Sequence, residues 1–227
     1  MCAILSVLVK ERRIKMYIKY PRTYHLPYSL TLSSDDKRLE SDEQFKDMTV
    51  YCTEKMDGEN TTVYSNGYIH ARSLDGNKHP WQSWLKGYIQ TWYKDIPKGW
   101  RVCGENLYPQ HSIHYTFPNE TFFFQVFGIY NERNERLSYQ DMIDWCSMLD
   151  IHFVPVFYIG KYDKYLILQK FNELKSGNIN ETEGFVVSNI NSFRYEDFNK
   201  NTGKYVRAGH VQTDAHWSEH WQPNQVS

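Results

Sequence analysis

The strongest constraint on the fold comes from a strand–turn–strand pattern in the first third of the chain. Residues 61–65 and 68–73 are rich in β-branched and aromatic side chains, which favour strands. Asn66-Gly67 separates them, and this dipeptide is the strongest short signal for a two-residue type I′ turn. Such a turn pairs Thr61 with Arg72. The pattern therefore predicts an antiparallel hairpin that returns Arg72 to the end where the hairpin begins.

A lysine and two carboxylates lie just before this hairpin. Lys55 stands beside Asp57-Gly58, a turn-forming dipeptide, with Glu54 and Glu59 close on either side. The predicted hairpin brings Arg72 to the same end of the sheet. Two cations that converge beside a tight turn indicate a phosphate site. A surface hairpin with ordinary solvated charges is the alternative.

The composition limits the classes of function. A chain of 227 residues suits one large domain, or one domain with a small appendage, and can bury a substantial core. The formal net charge is −1, so no overall positive field attracts nucleic acid, and any phosphate-binding surface must be local. Aromatic residues make up 16% of the chain, which is enough for a core and for stacking on bases.

Cysteine usage and the N-terminus bear on the compartment. Four scattered cysteines without a CxxC pair are typical of reduced thiols inside a cell. The apolar stretch at residues 3–9 is too short to span a membrane and lacks the flanks of a signal peptide. We therefore expect a cytoplasmic protein with no membrane partner. We also expect residues 1–15 to be dispensable, because Met16 offers a more ordinary start.

Helix and strand patterns follow one another without an internal repeat. An aromatic stripe at helical spacing, residues 81–92, predicts a helix that faces the core. Further helices are predicted at 138–149 and 163–175, and strands at 100–106, 122–130, 152–159, 183–187 and 204–207. These elements predict a mixed α+β fold, with mainly antiparallel sheets and flanking helices.

Six short motifs occur in a fixed order between residues 50 and 210. They are Lys55-Met56-Asp57-Gly58, His70-Ala71-Arg72-Ser73, Gly104-Glu105-Asn106, the aromatic strand around Phe127, Glu183-Gly184-Phe185-Val186-Val187, and Lys204. This ordered set resembles the motifs of the covalent nucleotidyltransferase superfamily, which includes RNA ligases, DNA ligases and capping enzymes. The resemblance implies an ATP-grasp-like nucleotidyltransferase ligase core.

Within the superfamily, the chain most resembles the RNA ligases. Lys55 and Asn60 share the KxxGxN spacing of nick-sealing RNA ligases, and the segments PRTYHLPYS, GENLYPQHSIHY and KYVRAGHVQTDAHW are similar to small bacterial and phage RNA ligase-like proteins. The resemblance implies an ATP-dependent RNA ligase that acts in RNA repair. Lys55 would take AMP from ATP and pass it to an RNA 5′-phosphate, and an RNA 3′-hydroxyl would then displace the AMP.

The resemblance also implies a role for each motif residue. An ordinary lysine has a pKa near 10.4 and is protonated at neutral pH, so a nucleophilic Lys55 needs a cationic environment. Lys204, Arg72 and a bound Mg²⁺ or Mn²⁺ are expected to provide it. Glu183 and the Asn60 amide are the expected metal ligands. The remaining expected nucleotide contacts are Glu105 with the ribose, Phe127 stacked on adenine, Glu54 at the purine end of the pocket, and Arg207.

Several of these residues have a structural interpretation as well. A phenylalanine in a run of buried aromatic residues, such as Phe127, is a core residue by default. Glu105 and Glu183 fit paired surface carboxylates. Arg207 stands beside Val206, where the superfamily usually has a second lysine. Arg207 therefore either replaces that lysine or contacts RNA.

The histidines raise the alternative of a zinc site. His210, His216 and His220 lie close together in the sequence, and His111 and His114 are three residues apart. The sequence shows no carboxylate or thiolate that completes such a site. A C-terminal tail that covers the nucleotide pocket or contacts RNA is the favoured interpretation.

The chain length limits the architecture. We expect an N-terminal extension (1–50) packed on a nucleotidyltransferase domain (51–211), then a tail (212–227). A full OB domain fits on neither side, so RNA ends must be held by the core with Arg22 and His25, or by a protein partner. The sequence does not select between a nick, a tRNA break and a single strand. A different acceptor (a DNA end or a protein) and a non-catalytic nucleotide- or RNA-end-binding protein remain the alternatives.

Overall fold

The computed structural model describes residues 17–33, 35–74, 79–176, 182–210 and 221–227. In these ranges the chain forms a mixed α+β fold with mainly antiparallel sheets and flanking helices, which confirms the predicted class. The described strands form no closed barrel. The expectations for residues 1–15, His216 and His220 fall outside these ranges.

A four-stranded antiparallel sheet forms one half of the molecule. With strands numbered in chain order, its spatial order is β12 (Thr202–Val206), β10 (Gly184–Asn189), β1 (Thr49–Lys55) and β9 (Val156–Lys161). In β1 and β10, Lys55 pairs with Gly184 and Thr53 with Val186. The end of β1 therefore lies beside the start of β10, and two of the sequence motifs meet there.

A larger sheet forms the other half. Its spatial order is β11 (Phe193–Arg194), β7 (Glu135–Arg136), β6 (Phe124–Tyr130), β4 (Arg101–Asn106), β2 (Glu59–Tyr64) and β3 (Ile69–Ala71), and β8 (His152–Phe153) joins β6 in parallel. A small parallel pair joins β5 (Thr116–Phe117) to β13 (Gln225–Val226) near the C-terminus. The turn at residues 56–58 carries the chain from the first sheet into the second.

Helices cover the outer faces of both sheets. They are α1 (Gln82–Tyr88), α2 (Tyr139–Leu149), α3 (Lys164–Lys175) and the short α4 (Phe198–Asn201), with 3₁₀ turns at Glu43–Phe45, Ile89–Thr91, Tyr93–Asp95, Glu120–Phe123 and Tyr195–Asp197. The Ser138 side chain caps α2, as predicted, and the structure shows that the Asp163 side chain caps α3. None of the described helices has both the length and the apolar character that crossing a bilayer requires.

Each sheet has its own apolar core. Ile167 and Phe171 of α3 pack with Cys52, Phe185 and Val187 of the four-stranded sheet. On the larger sheet, α1 and α2 contribute to a second cluster that includes Leu85, Ile89, Val126, Met142 and Cys146. The predicted aromatic stripe belongs to this second core, with Trp92 buried and Trp84 and Tyr88 partly buried against it. Because each sheet buries one face this way, the opposite faces are left to form a cleft.

The hairpin forms, but its predicted register is wrong. Thr61 pairs with Ala71 rather than with Arg72. Gly67 has a positive φ of 75°, and its amide donates to the Tyr64 carbonyl at 2.9 Å. This geometry is a type I turn closed by a left-handed glycine, which makes a three-residue loop instead of a two-residue one. The extra loop residue shifts the pairing by one position, and Arg72 follows directly after β3.

The predicted strand 152–159 divides at Pro155. Its first part, β8, pairs with β6 of the larger sheet, and its second part, β9, pairs with β1 of the other sheet. Proline has no amide hydrogen to donate to a sheet, which favours a break at this point. The chain thus crosses between the sheets here, as it also does at residues 56–58.

The segment before the sheets runs along the outer edge of β12. The Leu26 amide donates to the Lys204 carbonyl at 2.7 Å, and the Lys204 amide donates to the Tyr24 carbonyl at 2.9 Å. The Leu30 amide donates to the Val206 carbonyl at 3.0 Å. These bonds cover the edge of the sheet and place residues 20–36 next to Lys204.

Candidate active site

A cleft of about 340 Å³ lies between the inner faces of the two sheets. On one wall, strand alternation exposes Tyr51, Thr53 and Lys55 of β1 to the cleft. Val186 and Ser188 of β10 and Lys204 of β12 continue that wall. The cleft lining includes Glu54, Lys55, Asn60, Arg72, Glu105, Phe127 and Lys204 from the predicted nucleotide-binding set. Glu183 and Arg207 are not part of this lining.

The amine of Lys55 is held by a buried carboxylate. Its Nζ lies 2.5 Å from Oε2 of Glu183, whose side chain is 1% exposed. Burial lowers the pKa of Lys55, but the negative charges of Glu183, Glu105 and Asp57 outweigh burial and hold the pKa above its ordinary value. The lysine is therefore an ammonium ion in this state of the protein.

This electrostatic setting differs from the predicted one. We expected Lys204 and Arg72 to surround Lys55 with positive charge. The structure instead places the Glu183 carboxylate against the amine, with the charges of Glu105 on β4 and Asp57 in the turn also acting on it. In the unmodified protein, a net fall of the Lys55 pKa below its ordinary value needs additional positive charge in the cleft.

Glu105 lies across the cleft on β4. Its Oε1 accepts a hydrogen bond from the Gly58 amide at 3.2 Å. Burial raises the pKa of Glu105 to about 8, and Glu183 and Asp57 add to the rise while Lys55 opposes it. A strongly perturbed carboxyl group in a cleft is typical of a functional site.

The turn residue Asp57 connects several elements. Its Oδ2 accepts from the Ile113 amide at 2.9 Å, and its own amide donates to the Tyr115 hydroxyl at 2.9 Å. His111 approaches Asp57 with Nδ1 3.8 Å from Oδ1. These contacts anchor the turn that carries Lys55.

The residues beside Lys55 fit a divalent cation. Glu183 Oε1 and Asn60 Oδ1 are buried oxygens without a hydrogen-bond partner among the described residues. Buried unpaired acceptors are costly, and oxygens of this kind are the ligands that a hard cation prefers. Asp57, Glu183 and His210 also offer ligand atoms that all lie within 4.8 Å of one another. The expected metal ligands therefore have the chemistry that such an ion requires.

This arrangement corrects one expectation about the histidines. His210 is buried, and its Nε2 lies 3.7 Å from Glu183 Oε1. Two carboxylates lie beside it, and both are distant in the sequence. Glu183 is 27 positions earlier, and Asp57 lies in the turn between β1 and β2. The predicted neighbours of His210 in the tail, His216 and His220, lie outside the described residues.

Lys204 forms an ion pair with a residue of the N-terminal segment. Its Nζ lies 2.9 Å from Oδ1 of Asp36. Burial lowers the pKa of Lys204, Asp36 raises it, and Lys55 lowers it further, with a net fall. The other oxygen of Asp36 lies 3.1 Å from His25 Nε2. Lys204 is thus held in the cleft wall by a carboxylate.

The predicted contact of His25 with RNA is wrong for this conformation. The side chain is 1% exposed, and Nδ1 lies 2.7 Å from the Ser29 hydroxyl. Burial lowers the pKa of His25 to about 4, and the charge of Lys204 adds to the fall. A neutral imidazole enclosed by Ser29 and Asp36 has no edge left for RNA. It positions the partner of Lys204 instead.

Arg22, the other predicted RNA contact, stays partly exposed. Its guanidinium lies 3.1 Å from the Asp35 carboxylate, and its side chain is 34% exposed. Arg72 lines the cleft, where burial and the charge of Arg22 lower its pKa. The two arginines therefore lie near each other on the same side of the cleft.

Glu54 and Arg207 meet at the segment before β10. The Thr182 hydroxyl donates to Glu54 Oε1 at 3.2 Å. Arg207 Nε donates to the Thr182 carbonyl at 2.7 Å, and the Arg207 amide donates to the Glu183 carbonyl at 3.1 Å. Arg207 thus fixes the backbone that carries Glu183.

Phe127 faces the cleft and is only partly buried. The edge of Tyr20 packs on it at 4.8 Å between ring centroids. Its exposure in the cleft makes a ring available for stacking, although the packed Tyr20 and the neighbouring core also fit a structural role.

Sequence reasoning missed several residues of this site, of which three are charged or pack on a predicted site residue. They are Tyr20, Asp36 and Arg136. Tyr20 and Asp36 lie in segments that have no motif, and Arg136 lies in a charged turn-rich stretch that reads as surface. Only the run PRTYHLPYS, which begins next to Tyr20, pointed toward the first of these segments.

A family model described as RNA ligase matches residues 48–206 of this chain. No curated protein sequence matches the chain significantly. Among solved structures, an archaeal ATP-dependent RNA ligase has a TM-score of 0.57 and 17% identity, over 84% of this chain and 48% of that one. A second form of that ligase gives a TM-score of 0.54 at 17% identity, over 83% and 48%.

A variant of the Naegleria gruberi RNA ligase, with ATP and manganese, is also similar. It has a TM-score of 0.51 and 14% identity, over 88% of this chain and 64% of that one. These likenesses show a common fold. The present chain spans about half the length of the archaeal structures that it matches.

Proposed function

This chain belongs to the RNA ligase family, and on that premise we propose that it is an ATP-dependent RNA ligase with Lys55 as its nucleophile. The observation that carries the proposal is the position of Lys55. Its amine lies in the cleft between the two sheets, bonded to Glu183 and within the electrostatic reach of Glu105 and Asp57. The family likeness and this geometry support the same nucleophile.

In the proposed first step, the Lys55 amine attacks the α-phosphorus of ATP. The Lys55 ammonium loses one proton to solvent and becomes the amine. The Nζ–P bond then forms, the bond to pyrophosphate breaks, and the nitrogen gives up a second proton. Oε2 of Glu183, at 2.5 Å, is the acceptor nearest to that proton. The product is a lysyl-AMP phosphoramidate.

Glu183 and Asn60 would hold Mg²⁺ or Mn²⁺ through their unpaired oxygens. When bound, the ion would supply positive charge that favours the neutral amine and stabilises the transferring phosphate. The protein's own contribution is to aim these oxygens beside Lys55.

The cleft walls would hold the rest of the nucleotide. Phe127 would stack on adenine, Glu105 would accept from the ribose hydroxyls, and Glu54 would lie at the purine end. Lys204 and Arg72 would contact phosphate oxygens, which requires that Lys204 exchange its Asp36 partner for the phosphate. Arg207 would act by fixing the segment that carries Glu183.

In the later steps AMP would pass to an RNA 5′-phosphate, and a 3′-hydroxyl would then displace it to form a phosphodiester. The same cations serve each step, because all three are in-line displacements at phosphorus. We propose RNA ends as the substrates and RNA repair as the process. The core and the partly exposed Arg22 would contact the RNA, and a protein partner would add affinity for it. Such binding is expected to weaken with salt.

The proposal is tested by incubating the full chain with α-³²P-ATP and Mg²⁺. We expect acid-labile label on the native protein and none on Lys55→Ala. Lys46→Ala is the control, because Lys46 is an exposed lysine whose side chain is 71% accessible, and it should be labelled normally.

Adenylated protein is then offered RNA and DNA ends with a 5′-phosphate. Sealing of RNA supports the proposal, whereas sealing of DNA alone assigns a different acceptor. Absence of label with ATP, GTP and NAD would remove the ligase mechanism and leave a non-catalytic nucleotide- or RNA-end-binding protein.

A further inference from the structure

His210 lies against a carboxylate of the candidate active site, just beyond the last strand of the four-stranded sheet. A turn at residues 208–209 follows β12, and Gly209 in that turn has a positive φ of 74°. His210 comes next and lies beside Glu183, the residue that directly precedes β10. The two side chains are only 2% and 1% exposed. The fold thus encloses an imidazole and a carboxylate together.

The facing atoms of this pair are not joined by a hydrogen bond. Nε2 of His210 lies 3.7 Å from Oε1 of Glu183, which exceeds hydrogen-bond distance. Both atoms are buried, and neither has a hydrogen-bond partner among the described residues. Buried polar atoms without partners are costly. A single group that contacts both atoms would therefore stabilise the pair.

The separation of the two atoms favours a metal ion over a water molecule as that group. For a water about 2.8 Å from each atom, the angle between its two bonds would be about 80°, which is narrow for hydrogen bonds. For an ion about 2.1 Å from each atom, the angle would be about 120°, which metal coordination accepts. Asp57 supplies a third ligand, because atoms of Asp57, Glu183 and His210 all lie within 4.8 Å of one another.

The nitrogen in this set indicates which ions it suits. Mg²⁺ prefers oxygen ligands, whereas imidazole suits first-row transition metals. We propose that Asp57, Glu183 and His210 bind one divalent transition-metal ion, and that His210 makes the site prefer Mn²⁺ or Zn²⁺ to Mg²⁺. The inference deepens the proposed function, because Oε1 of Glu183 is the oxygen that the proposed function gives to the cation. The other oxygen of that carboxylate holds the Lys55 amine, so the ion and the nucleophile share one side chain.

A purely structural role would leave His210 as an ion-pair partner of Glu183. The two roles differ in what a bound ion contacts. A ligand role bonds the ion to an imidazole nitrogen and makes affinity depend on the metal, whereas an ion pair does neither.

The test measures binding of Mn²⁺, Zn²⁺ and Mg²⁺ to the full native chain by calorimetry, without nucleotide. We expect Mn²⁺ and Zn²⁺ to bind at least about tenfold more tightly than Mg²⁺. Electron spin echo spectroscopy of bound Mn²⁺ should show coupling to a directly bonded ¹⁴N nucleus. In His210→Gln this coupling should disappear, and Mn²⁺ should bind at least about tenfold more weakly, while Mg²⁺ binding changes less than about threefold.

His114→Gln is the matched control. His114 is exposed, and among the described residues it belongs to no cluster of metal-ligating side chains. Its variant should keep both the nitrogen coupling and the preference for Mn²⁺ and Zn²⁺. Circular dichroism and Tm establish that each variant is folded.

Equal binding of the three ions to the native protein would overturn the inference, as would bound Mn²⁺ without nitrogen coupling. A coupling that survives in His210→Gln would also overturn it, because the nitrogen would then belong to another residue. If His210→Gln does not fold, anomalous diffraction from crystals of the native protein grown with Mn²⁺ decides. An ion bonded to Nε2 of His210 supports the inference, and an ion held by oxygen atoms alone contradicts it.

None of these readouts needs ATP. A failed labelling experiment with intact nitrogen coupling would therefore reject the ligase mechanism alone. Normal labelling of a protein whose bound Mn²⁺ lacks that coupling would reject the role of His210 alone.

Discussion

The ammonium group of Lys204 lies 2.9 Å from the carboxylate of Asp36, a residue 168 positions earlier in the chain. This pair joins the last strand of the four-stranded sheet to the segment that runs along its edge. The pair also engages the ammonium group of Lys204, which the proposed mechanism assigns to a phosphate of the nucleotide. Asp36 therefore supports Lys204 in the free protein and competes with the nucleotide for it.

Asp36→Asn separates these two effects. We expect a loss of about 1–2 kcal/mol in stability, below the cost of breaking a fully buried pair. We also expect nucleotide to bind a few-fold more tightly, because the carboxylate no longer competes with phosphate for Lys204. Thermal unfolding and calorimetric titration with ATP measure the two changes.

Asp35→Asn is the control for that variant. The Asp35 side chain is 75% exposed and pairs with Arg22 rather than with Lys204. It should change neither quantity appreciably. Weaker nucleotide binding by Asp36→Asn, at unchanged fold, would show that Asp36 holds Lys204 in its productive position instead of competing for it.

Glu183→Gln is expected to lower the pKa of Lys55. Burial already lowers this pKa, and Glu183 is the largest of the influences that raise it. Removing the negative charge therefore makes the amine neutral at a lower pH. Competitive acetylation followed by mass spectrometry measures this as a higher reactivity of Lys55 between about pH 8 and 10.

An internal comparison accompanies this measurement. Lys170 and Glu173 form an exposed pair at 2.8 Å, and Glu173→Gln should change the reactivity of Lys170 little, because solvent screens that pair. A Lys55 that titrates identically with and without Glu183 would contradict the electrostatic account.

Glu105→Gln should stabilise the free protein while it weakens nucleotide binding. The folded pKa of Glu105 is about 8, above its unfolded value of 4.5, so the unfolded chain loses this proton first as pH rises. The contribution of Glu105 to the free energy of unfolding is therefore greatest below pH 4.5. It is lost progressively as the pH rises toward 8. Glutamine keeps the acceptor for the Gly58 amide without the charge.

The expected gain near pH 8 is about 1–3 kcal/mol, and it should vanish near pH 4.5. Tm measured across this range for both proteins gives the result. Glu40→Gln, at an exposed carboxylate, serves as the control and should show no such trend. A difference in Tm that is constant with pH would mean that Glu105 ionises normally.

Gly184→Ala is expected to be strongly destabilising. A Cβ at this position would meet the Tyr205 carbonyl oxygen at 1.9 Å, so β10 and β12 would have to separate. We expect a loss of about 3 kcal/mol or more, together with displacement of Glu183 and loss of adenylation. Denaturant unfolding and the labelling assay measure these effects.

Gly87→Ala provides the opposite case. Gly87 lies in α1 and a Cβ there would meet nothing within 4 Å, so alanine should stabilise the helix by about 1 kcal/mol. A tolerated Gly184→Ala would show that the two strands have room to move apart.

The sequence predicted the elements of this site better than their contacts. Local patterns located the strands of the hairpin, the capped helix after Ser138 and the aromatic helix, because periodicity and capping act within a few residues. The hairpin register was missed because Asn66-Gly67 serves both two-residue and three-residue loops. Only the pairing of Thr61 with Ala71 in the folded sheet decides between them.

The electrostatics were predicted least well. The charge around Lys55 depends on Glu183 and Glu105, and the burial of His25 depends on its neighbours in β12 and in residues 29–38. Such contacts join residues that are far apart in sequence and leave no local pattern. Arg136 illustrates the same limit, since a charged residue in a polar stretch is exposed by default, yet here it is buried.

The strand order also determines when the site can form during synthesis. Lys55 precedes its partner Glu183 by 128 positions, and Lys204 follows later still. β1 therefore emerges from the ribosome well before β10, its neighbour on that side, and before β12, which lies beyond β10. A nascent or C-terminally truncated chain therefore carries an unpaired β1 edge and no completed cleft, and it should depend on chaperones until the last strands are released.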